Sequence, residues 1–183
     1  MVPPGGAAKF NINASLLLSD AQTGELLSLM DARRATALRT AGMSAVAAHY
    51  LARKESSSIG FVGAGVQAES HLHALKDLFP SLRQVFVNSV PPKSAERFAE
   101  SCRERGFQAT VCTTEDAVSR ADIVVTTVPL VADFQPFIDV NWVKPGAFVI
   151  AVDLGLSWKH DGLSEVDVTV VDEEAMKTYA RPG

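Results

Sequence analysis

The sequence predicts an α/β protein built on a doubly wound parallel sheet, and three observations carry that expectation. The first is an apolar run, Ser58-Ile59-Gly60-Phe61-Val62, that ends in the turn Gly63-Ala64-Gly65-Val66-Gln67-Ala68, a G-x-G-x-x-A pattern. A helix-compatible stretch with Glu69, His71, Leu72, Ala74, Leu75 and Leu78 follows it. The second is that strand-like and helix-like segments go on alternating from there to Asp153, as right-handed crossovers in a parallel sheet require. The third is Asp122 to Val128 (DIVVTTV), whose continuous Ile/Val content suits a strand buried on both faces.

Strand, tight turn and helix in that order are the context of a dinucleotide-binding fingerprint, so the sheet is expected to be Rossmann-type. Gly63 allows the turn, Gly65 lets the backbone approach a pyrophosphate, and the small Ala68 lets the helix lie close to the strand. The phosphates then sit on unpaired amides at the positive end of the helix. A glycine pattern this short also recurs as an ordinary strand-to-helix turn; the alternation after it is what favours the nucleotide site.

Composition narrows the class. At 183 residues and 47% hydrophobic content the chain can bury one good core and part of a second. The net charge of −4 is spread through the chain, leaving no basic stripe for nucleic acid and no polybasic membrane patch. The longest apolar runs are strand-sized, far short of the roughly 20 residues that span a bilayer. Met1 is followed by Val-Pro-Pro-Gly-Gly rather than by a charged region and an apolar core, so no secretory signal and a cytoplasmic location are expected. Cys102 and Cys112 lack metal-ligand spacing and read as buried reduced thiols.

In chain order, residues 1–13 are rich in Pro, Gly and Ala and read as a loop. Ala14 to Ser19 and Glu25 to Met30 are strand-like and flank the turn Asp20-Ala21-Gln22-Thr23-Gly24, giving a hairpin outside the nucleotide fold. Asp31 is the expected N-cap of a long helix to about Arg53, with Ala35, Leu38, Gly42, Val46, His49 and Tyr50 at three- and four-residue steps. After the glycine turn, Leu82 to Asn88 is a strand and Ser94 to Gly106 a helix closed by Gly106 at C′. Gln108 to Cys112 is the next strand, and Thr113 or Thr114 opens a short helix with acidic residues in its first turn. Pro129 stops the Asp122 strand, Val140 to Gly146 is a turn, Ala147 to Val152 is a strand, and Val168 to Val171 is a sixth, shorter one.

Open parallel sheets bind ligands beyond the carboxyl ends of their strands, so the residues to weigh are Gly63 to Gln67, Asn88, Ser89, Thr126, Thr127 and Asp153. A nicotinamide-adenine site with a free 2′-hydroxyl usually has an acidic residue at the end of the second strand; here Asn88 and Ser89 stand there. A neutral amide can bond a ribose hydroxyl without repelling a 2′-phosphate, and Lys93 and Arg97 follow closely, so NADP is at least as well suited as NAD. Alternatively, Asn88 only starts the turn before Pro91 and Pro92. A carboxylate at Asp153 can relay protons to an amino or imino nitrogen, or it can simply cap a turn with Gly155. Arg39, in an Ala-rich helix, can clamp a carboxylate or pyrophosphate bidentately, or be solvated surface like Arg33 and Arg34. His71 and His73 are two apart on a helix and point to different faces, so no shared metal is expected.

Five blocks together resemble the ornithine cyclodeaminase/mu-crystallin family. They are Leu16 to Gly24 with Met30-Asp31; Leu38-Arg39-Thr40-Ala41; Gly63 to Ala68; Asp122 to Thr127; and Trp142-Val143-Lys144-Pro145-Gly146-Ala147, continuing to Asp153. The resemblance implies a homodimer, each subunit a Rossmann domain plus a domain for dimerisation and substrate binding. It divides this chain into a partial substrate/dimerisation segment (1–53), an NAD(P)-binding domain (54–173) and the start of a return segment (174–183). It implies that Arg39 contacts the cofactor or the substrate carboxylate, that Lys9 is the substrate-binding lysine, and that Gly63, Ala64, Gly65, Val66 and Gln67 line the pyrophosphate. It further implies that Asn88 replaces the ribose-binding acid, with Ser89 beside it, that Thr127 lies by the cofactor and that Asp153 is the catalytic aspartate.

The reaction implied is NAD(P)H-dependent reduction of a small cyclic imine or an α-keto/imino acid, as by a pyrroline-2-carboxylate reductase or an alanine dehydrogenase. The family's cyclodeaminases carry Cys-Pro-Gly-Lys after the aspartate, whereas Leu154-Gly155-Leu156-Ser157-Trp158-Lys159 stands here, which disfavours ornithine cyclisation. The alternatives are that cyclodeaminase reaction, ornithine to proline and ammonia, and a silent NADP- or ligand-binding protein or fragment.

Overall fold

The computed structural model of the chain describes residues 13–129 and 134–172. Lys9 and the segment 174–183 lie outside them, as do nearly all of the N-terminal loop residues. β1 (Ser15–Ser19) and β2 (Leu26–Asp31) pair antiparallel as a separate two-stranded hairpin. Asp20 shapes its turn, Oδ1 accepting from the amides of Gln22 at 2.9 Å and Thr23 at 2.7 Å. The leucines of this hairpin are largely exposed, Leu17 at 65% and Leu29 at 66%.

α1 (Arg33–Leu51) leads into the second sheet. Its elements are β3 (Ser58–Val62), α2 (Val66–Leu78), β4 (Gln84–Asn88), α3 (Pro92–Glu104), β5 (Gln108–Val111), α4 (Thr114–Ser119), β6 (Ile123–Thr126) and β7 (Phe148–Ala151). The five strands run parallel in the order β5-β4-β3-β6-β7, so the chain winds outward from β3 on one side and then returns to the other. Side chains alternate across the pleat. Ile59, Phe61, Val85, Val87, Ile123 and Val125 pack against α2, α3 and Ala48 of α1. Val62, Phe86 and Val124 face the opposite layer, with Ala117 and Val118 of α4 and with Ile138 and Trp158. Gly60 permits the close approach of that layer, because a Cβ on it would stand 1.8 Å from the Ala117 carbonyl oxygen. No helix among the described residues is long and apolar enough to cross a membrane.

Three expectations are corrected. Val168 to Val171 is not a strand: among the described residues β7 is the edge of the sheet and nothing pairs beyond it, and Val168 and Val170 are 66% and 62% exposed. Among the described residues, the connection from β6 to β7 holds only the 3₁₀ turn Val140–Trp142 in place of a crossover helix. Ile138 bridges to Trp158 there, and these two side chains cover the face that a helix would otherwise cover. Asp31 ends β2 opposite Ser15, so Ala32 takes the cap position of α1; Asp31 Oδ1 still accepts the Arg33 amide at 2.9 Å.

Candidate functional site

The parallel strands present their carboxyl ends to one edge of the sheet, and most of the nominated residues collect there. β3 stops at Val62, and Gly63 turns the chain with φ +101°, a conformation that a side chain would strain. A Cβ on Gly63 would also lie 2.6 Å from Thr127 Oγ1 and 2.7 Å from the Thr127 carbonyl oxygen, so glycine is needed on both counts. The turn is tied on both sides: Gly63 N–H donates to the Asn88 carbonyl at 2.8 Å, and Thr127 N–H to the Val62 carbonyl at 2.8 Å.

Gly65 is the N-cap of α2, and no side chain caps this helix. The first amides of a helix have no intrahelical acceptor, and here the space before them is open, with nothing within 4 Å of a Cβ built on Gly65. Val66 is exposed and Ala68 fully buried. Two buried side-chain oxygens among the described residues have no hydrogen-bond partner, Gln67 Oε1 and Thr127 Oγ1. One belongs to the first turn of α2 and the other packs on Gly63. A buried oxygen left unpaired costs about 1–3 kcal/mol, so a pair of them beside an uncapped helix end fits a ligand that supplies polar groups. A pyrophosphate with its attached ribose and nicotinamide amide is such a ligand.

Asn88 ends β4 with its side chain engaged internally. Nδ2 donates to the Cys112 carbonyl at 2.8 Å, and Oδ1 accepts from the Thr114 hydroxyl at 3.0 Å. It thus ties β4 to the loop between β5 and α4, a tie between distant segments that its sequence neighbours do not reveal. Ser89 follows directly, half-buried, and Lys93 is exposed at the start of α3. Cys102 is buried, and burial pushes its thiol up to about 11, an inert state.

Asp153, two residues after β7, is 3% exposed. Oδ1 accepts from the Thr126 hydroxyl at 2.9 Å and from Gly155 N–H at 3.3 Å, and Oδ2 accepts from the Ser157 hydroxyl at 2.5 Å. All three donors are neutral. Trp158 Nε1 in turn donates to Thr126 Oγ1 at 3.3 Å. Asp153 and Ser157 pack with Val128, Pro129, Phe134 and Leu156 around a gap too small to hold a water molecule. Sequence reading nominated Thr126 only as a strand end and gave no role to Ser157 or Trp158; the one available signal was the i+4 spacing from Asp153 to Ser157 next to a glycine.

Arg39 is exposed on α1, and no hydrogen bond or ion pair among the described residues joins it to the other nominated groups. The link between α1 and this edge of the sheet is instead His71 of α2, fully buried, with Nδ1 2.7 Å from the Gln67 carbonyl and Nε2 2.9 Å from Ser44 Oγ. Burial lowers its proton affinity, and the bond to the Gln67 carbonyl partly opposes that.

A sheet wound both ways from β3, open at a glycine turn where a helix begins uncapped, defines a Rossmann-type protein with its ligand edge at the strand carboxyl ends. The chain belongs to the Ornithine cyclodeaminase/mu-crystallin family, whose profile it matches over residues 8–179. It is 37% identical over 160 residues to an alanine dehydrogenase from Archaeoglobus fulgidus, covering 87% of this chain and 47% of that protein. It is 36% identical over 164 residues to the ketimine reductase mu-crystallin of Rattus norvegicus, covering 90% and 48%. Among solved structures, it resembles Thermococcus litoralis Δ1-pyrroline-2-carboxylate reductase in complex with NADH and L-proline. The TM-score is 0.69 at 33% identity, covering 75% of this chain and 42% of that one. The chain therefore spans about half the length of the relatives it matches, 47% for the alanine dehydrogenase.

Proposed function

We propose that this chain belongs to an NAD(P)H-dependent oxidoreductase acting on a small cyclic imine or an α-keto/imino acid, of the pyrroline-2-carboxylate reductase or alanine dehydrogenase kind. The observation that carries the reading is the pair of unpartnered oxygens, Gln67 Oε1 and Thr127 Oγ1, flanking the uncapped start of α2. The amides of Gly63 to Gln67 would hold the pyrophosphate, with the helix dipole favouring its charge. Thr127 would bond the nicotinamide end, and Ser89, with whatever capacity Asn88 keeps beside its bonds to Cys112 and Thr114, the adenosine ribose. The reduced cofactor, when bound, supplies a hydride to the carbon of the C=N bond.

Asp153 would donate the proton that the imine nitrogen takes up as the hydride reaches carbon, and would take it back in the reverse direction, while Arg39 with Lys9 would grip the substrate carboxylate. The segment 1–53 would serve substrate binding and homodimer formation, and 54–173 cofactor binding. The exposed leucines of the β1–β2 hairpin support the dimer, since an apolar patch of that kind favours a covering surface. β4 ends in Asn88 and not in a carboxylate, which supports a site that would take NADPH as well as NADH.

A second reading, cofactor binding without turnover, is favoured by one observation: Thr126, Gly155 and Ser157 already occupy the Asp153 carboxylate. Titration with NADH and NADPH, followed by assays on pyrroline-2-carboxylate, on pyruvate with ammonia and on ornithine, tests both. Cofactor oxidation with either of the first two supports the reductase, and proline with ammonia from ornithine identifies the cyclodeaminase. Binding with no turnover leaves the second reading.

A further inference from the structure

The Asp153 carboxylate has two unequal oxygens. An indole N–H and a backbone N–H can only donate. Trp158 Nε1 donates to Thr126 Oγ1 and takes up one of the two acceptor positions of that hydroxyl, whose proton points to Asp153 Oδ1, which also accepts from Gly155 N–H. Oδ1 therefore faces one group that can only donate and one hydroxyl whose acceptor capacity is already half used, which makes it the poorer seat for a proton. The partner of Oδ2 is also a hydroxyl but stands in different surroundings: Ser157 Oγ, fully buried and 2.5 Å away, carries no second hydrogen bond among the described residues, so it donates to a carboxylate and can accept from a carboxylic acid with both lone pairs free.

We infer that Ser157 and the Trp158–Thr126 pair are positioning residues that make the two oxygens of Asp153 inequivalent. Oδ1 is held as a permanent acceptor, and Oδ2, through the Ser157 hydroxyl, is the oxygen that gains and loses the proton. In the protonated state the new O–H on Oδ2 donates to Ser157 Oγ, and the hydrogen that Ser157 gave to Oδ2 rotates off it; no covalent bond of the protein breaks. The catalytic meaning of this arrangement rests on the oxidoreductase reading, but the arrangement itself does not.

Infrared difference spectra between the folded full chain and Asp153→Asn isolate the Asp153 carboxylate stretch without substrate. Ser157→Ala, which removes a donor, is expected to move that band to higher wavenumber; Trp158→Phe, which frees the Thr126 hydroxyl to rotate, is expected to move it less. In turnover assays Ser157→Ala is expected to lower kcat roughly tenfold, the scale of one hydrogen bond to a charged group, with the KM for cofactor unchanged. A folded Ser157→Ala whose band stays where the wild type has it overturns the inference, whatever the activity. If Ser157→Ala does not fold, Thr126→Val takes its place, with the same band shift expected and an unmoved band again overturning it. A shifted band in a wild type that turns over no imine supports the carboxylate geometry and removes the oxidoreductase reading instead.

Discussion

The two ends of the parallel sheet each carry a carboxylate, and they are furnished in opposite ways. At the amino end, Asp122 precedes β6 and accepts from the amides of Ser57 and Ser58 at 2.9 and 3.0 Å and from the Ser58 hydroxyl at 2.8 Å. It also pairs with Lys144 at 2.7 Å and Arg53 at 3.1 Å. At the carboxyl end, Asp153 meets only neutral donors, and at the same end of the sheet Gln67 Oε1 and Thr127 Oγ1 have no partner. The amino end is saturated and holds α1, β3, β6 and the loop before β7 together. The carboxyl end retains unused polar capacity, and that difference separates a structural end from a ligand end more sharply than burial does, since both carboxylates are largely buried.

The comparison predicts opposite responses to substitution. The largest effect is expected at Asp153: replacement by Asn should lower kcat at least about a hundredfold while cofactor affinity stays within a few-fold, as steady-state rates and fluorescence titration would read. An intact kcat would remove Asp153 from the chemistry and leave the two ends alike.

Asp122→Asn should instead leave cofactor binding alone and lower the unfolding free energy by about 2 kcal/mol, measured by denaturant titration, because two cations lose their partner. Burial opposes ionisation of Asp122, but Lys144, the Ser57 amide and the Ser58 hydroxyl outweigh it and hold the carboxyl well below its usual 3.8. A carboxyl depressed on folding stabilises fully above the unfolded value and loses that contribution as pH falls below it. Wild-type stability should therefore drop below about pH 4, and the drop should be shallower in Asp122→Asn.

Thr127→Val should act with the reverse sign. Removing an unpartnered hydroxyl should raise ligand-free stability by about 1 kcal/mol, while weakening NADH and NADPH binding several-fold. A loss of ligand-free stability would mean that this hydroxyl is already satisfied.

The smallest effect is expected at His71. Burial keeps it neutral, so the folded state loses stability as pH falls through the ordinary histidine value of 6.5. Between pH 7.5 and 5.5 the wild type should lose on the order of 1 kcal/mol more than His71→Gln, compared by chemical denaturation at both pH values.

The features that the sequence disclosed are those written in local chemistry. The strand, the glycine turn and α2 follow one another without a break, so Gly63, Gly65 and Ala68 could be assigned their geometry in advance. What stayed hidden depends on partners far away in the chain. Thr126 and Trp158 meet over 32 residues, and Asn88 meets Cys112 over 24, which no spacing rule reveals. Val168 to Val171 has the composition of a strand, yet composition reports a face to bury and not a neighbour to pair with, and the sheet ends at β7. Asp31 has the chemistry of an N-cap, but pairing with Ser15 holds it in β2. For Arg39 the family resemblance supplies a role that the described contacts neither use nor obstruct.

The most direct test of the ligand end is thermal: the melting temperature of the chain with and without saturating NADH or NADPH. At a hundredfold excess over Kd a ligand bound only by the folded state adds about 2.7 kcal/mol, which for a chain of this size raises Tm by roughly 5–10 °C. A rise of that order with at least one nucleotide, reduced in Thr127→Val and retained in Asp122→Asn, is the predicted result. A melting temperature that neither nucleotide moves would contradict the assignment of the glycine turn.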